Sequence, residues 1–148
     1  MGLIDINKLP FKTGSSYPEP YASQMGDRGR YQLGDAAGLT QFGVNLMVLQ
    51  PGSKSSLRHW HESEDEFLWV TQGELVLVQD EGETTVRPGD CAAFKAGDTN
   101  GHHLINRSEK EARFVVVGTR SADGACTYSD VDMKVENDRF TRKDGSEL

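Results

Sequence analysis

The sequence predicts an all-β domain, a sandwich or a barrel, and three observations support this prediction. Short runs rich in β-branched and apolar residues recur between residues 40 and 119. Turn residues, mostly Gly, Pro and Asp, separate these runs at short intervals. No stretch has the periodicity of a long amphipathic helix.

Each predicted strand ends at a turn signal. The first run, TQFGVNLMVLQ, stops at Pro51-Gly52, and Asp80-Glu81-Gly82 has the composition of a hairpin turn. The predicted strands are residues 40–50, 57–61, 66–70, 74–79, 83–86, 91–94, 102–106 and 113–119.

The chain of 148 residues has the length of one domain with three segments. Residues 1–38 are rich in Gly, Pro, Ser and Tyr, and we expect an ordered arm packed on the barrel, with a short strand near Tyr31–Leu33. Its tyrosines argue against disorder. Residues 39–120 are the predicted barrel core and 121–148 a C-terminal extension. Whether the arm exchanges between subunits is left open.

Composition excludes several classes of function. The net charge of −7, with no basic run, argues against a nucleic-acid partner. No apolar run approaches the roughly 20 residues of a membrane span, and the first residues lack a signal-peptide core. We therefore expect a cytoplasmic protein without a membrane partner, in which Cys91 and Cys126 are free thiols.

All four histidines fall into two tight clusters, LRHWHESEDE and TNGHHLIN. His59 and His61 point to one face of a strand, because side chains alternate with period two. Glu66 would point to the opposite face of an unbroken strand, but the polar, turn-like residues 62–65 can bring it back beside the histidines. Imidazoles and a carboxylate suit Fe(II), Mn(II), Zn(II), Ni(II) or Cu(II), and the spacing does not choose among them.

Two glycine-bounded patterns in the right order resemble the two motifs of the cupin superfamily. The first runs from Gly52 through the His-x-His pair and Glu66 to Gly73. The second contains, in order, Gly89, Gly97, His102 and Asn106. There are departures: Lys95 replaces the usual proline, and the gaps before His59 and between Gly97 and His102 are longer than usual.

The resemblance implies a double-stranded β-helix, or jelly roll, with one divalent transition metal per chain, Fe, Mn, Zn or Ni. The implied ligands are His59, His61, Glu66 and His102. His103 is the alternative to His102, but only His102 keeps the three-residue spacing to Asn106, so we favour His102. His103 would then have a structural role or support a ligand.

The runs YPEPY, GLTQFGVN, RHWHESEDEF, GHHLINRS and RFTRKDG resemble a subgroup of small single-domain bacterial cupins, some of them labelled sugar-phosphate isomerases. This resemblance implies a metal-dependent enzyme on a small organic substrate, an isomerase, an epimerase or a dioxygenase, with no catalytic residue assigned. A non-catalytic module that binds a small molecule or metal is the alternative, and a structural or storage protein is the third. A phosphorylated substrate needs an inward-facing cation, and the motif strands offer none on the ligand face. Arg28, Arg30 and Arg120 are candidates for binding an anion, although a solvated surface is their default role.

The strand that begins at Glu66 has two apolar faces. Phe67 and Trp69 lie on one face, and Glu66, Leu68 and Val70 lie on the other. Only one of them can line the barrel, so the other needs cover, and we expect a homodimer rather than a monomer.

Overall fold

The computed structural model describes residues 2–148, in which antiparallel β-strands predominate. The one α-helix, α1, spans Leu33–Ala36, and two 3-10 turns span Ile6–Lys8 and Ala22–Met25. The strands are β1 Lys12–Thr13, β2 Arg28–Gln32, β3 Phe42–Leu49, β4 His59–His61, β5 Glu66–Gln72, β6 Leu75–Gln79, β7 Gly82–Val86, β8 Cys91–Phe94, β9 His103–Ile105, β10 Ala112–Thr119, β11 Cys126–Tyr128, β12 Lys134–Glu136 and β13 Arg139–Thr141.

Each of the eight predicted strand segments contains a strand, β3 to β10, so the all-β prediction is confirmed. The predicted hairpin joins β6 to β7, where Gln79 pairs with Gly82 around a turn of Asp80 and Glu81. In the arm, the predicted short strand is β2, which begins earlier, at Arg28, and ends where α1 starts.

The strands form two facing layers. One layer has the order β1-β2-β3-β10-β5-β8. The other layer consists of two sheets, β7-β6-β9 and β13-β12-β11-β4. Two isolated bridges, His59–His102 and Lys54–Ile105, connect these sheets. The ligand motifs therefore meet where β4 and the start of β9 lie side by side.

The main core fills the space between the layers. Leu49, Leu68 and Val70 from the first layer pack with Leu75 and Leu104 from the second, and all five are essentially buried. Side chains of this size stabilise a fold by about 1.5–3 kcal/mol each when fully buried. This packing closes the interior below the histidines.

A second core joins the arm to the C-terminal strands. Met25 and Tyr17 of the arm pack with Met133, Tyr128 and Phe140. Strands from the arm and the C-terminal segment also extend the two layers, as β2 beside β3 and β11 beside β4. The division into arm, core and extension stays a prediction, since its boundaries cut across both sheets.

Two smaller expectations concern the cysteines and the membrane. Cys91 and Cys126 form no disulfide, as predicted. Among residues 2–148, no helix has the length and hydropathy required to cross a bilayer.

Candidate metal centre

Strand β4 holds the first two histidines in register with two neighbouring segments. His61 lies opposite Cys126 in β11, and His59 lies opposite both Tyr128 and His102. The backbones of His59 and His102 exchange two hydrogen bonds, of 3.1 and 2.9 Å. This pairing brings the two histidine clusters of the sequence together.

Glu66 reaches the same place from the facing layer. Residues 62–65 leave β4 and cross to β5, which begins at Glu66. Asp65 fixes this crossing: its backbone N–H donates to the Thr119 hydroxyl at 3.0 Å, and its carboxylate accepts the Ala96 N–H at 2.8 Å. The predicted break in the strand thus places the carboxylate opposite the histidines, whereas an unbroken strand would point it away.

All four residues that the sequence singles out as ligands converge. The Nε2 atoms of His59 and His61 are 3.1 Å apart, and Glu66 Oε2 is 2.9 Å from His61 Nε2. Glu66 Oε1 is 2.9 Å from His102 Nε2. Ligand atoms of His59, Glu66 and His102 all lie within 4.8 Å of one another, so these three side chains are positioned to bind a metal ion.

The rings are turned so that Nε2 faces the centre. The Nδ1–H of His59 donates to the Leu57 carbonyl at 2.9 Å, which leaves its Nε2 lone pair for the interior. The ring of His102 stacks on Phe94 at a centroid distance of 3.4 Å, and its buried Nδ1 has no hydrogen-bond partner. The Nδ1 of His61 lies 3.7 Å from the nearer oxygen of Glu64.

Burial and mutual contact shift the titration of these groups. Burial lowers the pKa of His59 to about 3, so this imidazole stays neutral. Burial opposes ionisation of Glu66, but hydrogen bonds from His102 and His61 outweigh it and hold the pKa of the carboxyl well below its usual range. The pKa of His61 is raised: burial acts to lower it, but the hydrogen bond and the negative charge of Glu66 outweigh this effect. The centre therefore combines an ionised carboxylate with a neutral imidazole at neutral pH.

This donor set fits a divalent transition metal. Imidazole nitrogens and a carboxylate oxygen are the ligands such ions take, and here those of His59, Glu66 and His102 lie close together, with His61 in contact with His59 and Glu66. The close approach of two imidazole Nε2 atoms, at 3.1 Å, is stable only with a proton or a cation between them. A bound cation removes the repulsion between the two nitrogen lone pairs, because both rings can then donate to it.

The cavity at the centre is small, at about 130 Å³. Beside the ligand candidates His59, Glu66 and His102, its walls are apolar except for two serines; the other lining residues are Met47, Leu104, Phe114, Val116, Ser55 and Ser56. Since a water molecule takes roughly 30 Å³ of liquid, the space suits an ion with a few waters or a small chemical group. A larger groove of about 750 Å³ is lined by Phe67, Ala93 and Val117 on the other face of β5 and its neighbours, and its lining also includes Glu66 and Phe94.

The two adjacent histidines have different surroundings. His102 is 2% exposed and faces Glu66, whereas the His103 Nδ1–H donates to the Ser56 carbonyl at 2.8 Å. Asn106 is fully buried and its amide donates to the carbonyls of Leu49 and Lys110, both at 2.8 Å. The second motif therefore supplies one inward-facing imidazole and an asparagine that fixes the following turn.

Sequence reasoning missed Cys126 as a neighbour of the site. Its sulfur lies within 4.8 Å of ligand nitrogens of His59 and His61. Burial raises the pKa of Cys126 to about 12, so it is a neutral thiol in the metal-free protein. The sequence carries no signal for this contact, because β11 is a three-residue strand whose pairing with β4 is set by the fold.

Comparison with known proteins gives the family. A family model for the cupin domain matches residues 45–118. A sugar phosphate isomerase from a cupin superfamily, from Silicibacter pomeroyi, is 52% identical in sequence, with a TM-score of 0.97 over 99% of this chain and 96% of that one.

More distant structures share the fold. A proposed sugar phosphate isomerase from Acidithiobacillus ferrooxidans is 24% identical, with a TM-score of 0.76 over 90% of this chain and 83% of that one. A predicted oxalate decarboxylase from Thermotoga maritima is 20% identical, with a TM-score of 0.65 over 81% of this chain and 100% of that one. No curated protein matches the chain. The double-stranded β-helix implied by the two motifs is confirmed, and the chain belongs to the cupin superfamily.

Proposed function

We propose that this chain is a metal-dependent enzyme acting on a small organic substrate, and that isomerisation or epimerisation is its reaction. The cluster of three imidazole nitrogens and one carboxylate beside a cavity of about 130 Å³ carries the proposal. His59, His61, Glu66 and His102 would hold one divalent ion, Fe, Mn, Zn or Ni. Four protein ligands leave room on a five- or six-coordinate ion for a substrate oxygen.

The bound ion would act as a Lewis acid that polarises a substrate carbonyl or hydroxyl. The chain's own residues prepare the site for this chemistry. The Leu57 carbonyl fixes the ring of His59, and ionised Glu66 supplies negative charge. The apolar walls, including Met47 and Phe114, limit water and so strengthen the electrostatic interactions inside.

The relative from Silicibacter pomeroyi supports an isomerase over an oxidative enzyme, since it is described as a sugar phosphate isomerase at 52% identity. With Fe(II), a dioxygenase reaction remains the alternative chemistry. The small volume of the cavity favours a second candidate function, a module that binds a metal or a small ligand without turnover.

We also propose that the protein is a homodimer through the outer face of β5. Phe42, Phe67 and Trp69 are 38%, 42% and 50% exposed on this face. Together they leave on the order of 250 Å² of aromatic surface in water, since each such side chain carries roughly 150–250 Å². Adjacent Val, Ala and Cys side chains enlarge the patch toward the size that marks an interface. Asp65 and Lys95 at the rim of the groove carry opposite charges, which a copy related by a two-fold axis can pair.

Turnover distinguishes the enzyme from the binding module. The metal-loaded protein would be screened in D₂O against ketoses, aldoses and their phosphate esters, with proton NMR detecting C–H to C–D exchange and product. We expect one class to be converted by the wild type, and conversion to be lost in Glu66→Gln. A protein that binds metal and ligand but converts none of them would favour the binding module.

A further inference from the structure

A second, polar pocket of about 520 Å³ adjoins the metal cavity. It lies between the arm, which includes β2, and the C-terminal strands, and shares Ser55 and Ser56 with the smaller cavity. Hydroxyl groups dominate its polar lining, with two more serines and two tyrosines: Ser15, Ser16, Tyr17 and Tyr128.

Arg28 is the cation of this pocket, and its charge is not compensated. Its Nη1 donates to the Ser55 carbonyl at 2.8 Å, while its Nε is buried without a partner. Within residues 2–148, no carboxylate lies within salt-bridge distance of this guanidinium. Asp138 also lines the pocket, at the exposed turn between β12 and β13, and forms no ion pair with Arg28.

An unpaired, half-buried guanidinium is an unusual arrangement. Buried charges are ordinarily paired, because removal from water disfavours the charged form. Burial accordingly lowers the pKa of Arg28, and repulsion from Arg30 adds to the effect. An arginine held this way is suited to an anion that arrives from solution.

The neighbouring hydroxyls are available to the same anion. The Ser55 hydroxyl accepts the Leu104 N–H at 2.9 Å and lies 3.5 Å from the Ser56 hydroxyl, so one of the two serines can donate to an anion. The Ser56 hydroxyl lies 3.2 Å from Nδ1 of His59. Ser56 therefore lies between the Arg28 pocket and the candidate metal ligand.

Volume indicates how a substrate would use both spaces. A cavity of about 130 Å³ cannot hold a sugar phosphate, whereas ligand pockets for such molecules span roughly 300–1,000 Å³. The Arg28 pocket, at about 520 Å³, is in that range. A fork of guanidinium N–H groups with hydroxyls from two further segments matches the several oxygens of a phosphate.

We propose that Arg28 and the hydroxyls beside it form the subsite for the phosphate group of a phosphorylated small substrate, whose other end reaches the metal cavity. Only the second part of this inference, that the substrate reaches the metal cavity, rests on the proposed function. Binding of a phosphate by Arg28 does not require the metal.

Calorimetric titration of inorganic phosphate into metal-free protein at low salt tests the subsite. We expect Arg28→Met to weaken binding by at least about tenfold, as for the loss of a charged hydrogen bond, and Arg28→Lys to weaken it less. Arg30→Met is the matched control, because it removes the same charge two residues away on β2; we expect a change within about threefold. Circular dichroism would confirm that each variant is folded. Equal affinity in all the variants, or no binding to the wild type at millimolar phosphate, would overturn the proposal.

A second measurement tests whether the two spaces serve one substrate. Mn²⁺-loaded protein would be mixed with glucose 6-phosphate, and the phosphorus NMR line width recorded. We expect broadening in the wild type and its loss in Arg28→Met at equal Mn²⁺ content. If Mn²⁺ binds and phosphate binds, yet the line stays sharp, the shared substrate is refuted while the metal centre stands. If Mn²⁺ does not bind, the metal proposal fails, and the phosphate titration of the metal-free protein still tests the role of Arg28.

Discussion

The two faces of β5 differ in almost every respect. On the inner face, Leu68 and Val70 are 1% and 0% exposed, and Glu66 ends the row beside the histidines. On the outer face, Phe67 and Trp69 are 42% and 50% exposed, and Phe67 lines a groove of about 750 Å³. Alternation along one strand thus builds the core and the candidate site on one side and leaves a surface for a partner on the other.

This difference predicts the largest effect for Leu68→Ala. Truncation of a fully buried leucine leaves a cavity in the core, and we expect the free energy of unfolding to fall by about 2–5 kcal/mol. Urea denaturation at fixed protein concentration measures it. Thr71→Ala, an exposed position on the outer face, is the control and should change stability by less than about 0.5 kcal/mol. Similar losses for both would mean that the inner face is not the packed one.

Glu66→Gln should have the next largest effect, on metal affinity. It keeps the shape of the side chain but removes the charge, and we expect affinity for a divalent ion to fall by at least about a hundredfold. Competition with a chromophoric chelator gives the affinity. Phe67→Ser, one residue along on the opposite face, is the control, and its metal affinity should stay within about threefold of the wild type. A hundredfold loss in Phe67→Ser as well would contradict the assignment of the metal site to the inner face alone.

Trp69→Glu tests the outer face. A carboxylate in an apolar contact cannot be desolvated cheaply, so we expect the proposed dimer to dissociate, with its dissociation constant raised by at least about thirtyfold. Light scattering coupled to size exclusion reports the mass. Metal content should not change. A wild type that is monomeric at high concentration would contradict the dimer and leave the inner face unaffected.

Acid should weaken metal binding gradually. The raised pKa of metal-free His61 means that a proton competes with the ion as pH falls through and below that pKa, so affinity should fall by up to about tenfold per pH unit. His59, whose pKa is about 3, should compete only in strong acid. Affinity measured from pH 8 to pH 5 checks this slope, and a flat profile would show that His61 is not a ligand.

Much of this architecture was predictable because it is local. Most of the strands from β3 to β10 are long enough to show alternation, and many of them end at Gly, Pro or Asp turns. The ligand candidates could be listed because the spacing of the two histidine clusters matches known motifs, and the turn after His61 correctly returned Glu66 to their side.

The remaining features depend on pairing between distant segments. Strands β1 and β11 to β13 have two or three residues each, too short for a periodic signal, and only the fold sets Cys126 beside His61. The partial burial of Arg28 could not be predicted either, since an arginine side chain is by default in water. The pairing of short strands and the burial of charged side chains depend on tertiary contacts, which cannot be read from the local sequence.

The adjacent pair His102 and His103 gives the most direct test of the metal centre. Metal content would be measured by elemental analysis of wild type, His102→Gln and His103→Gln after loading with one divalent ion and desalting. We predict one ion per chain in the wild type and in His103→Gln, and loss of the ion in His102→Gln. Equal metal content in the two variants, or none in the wild type, would contradict the convergence of three histidines and Glu66 on a single ion.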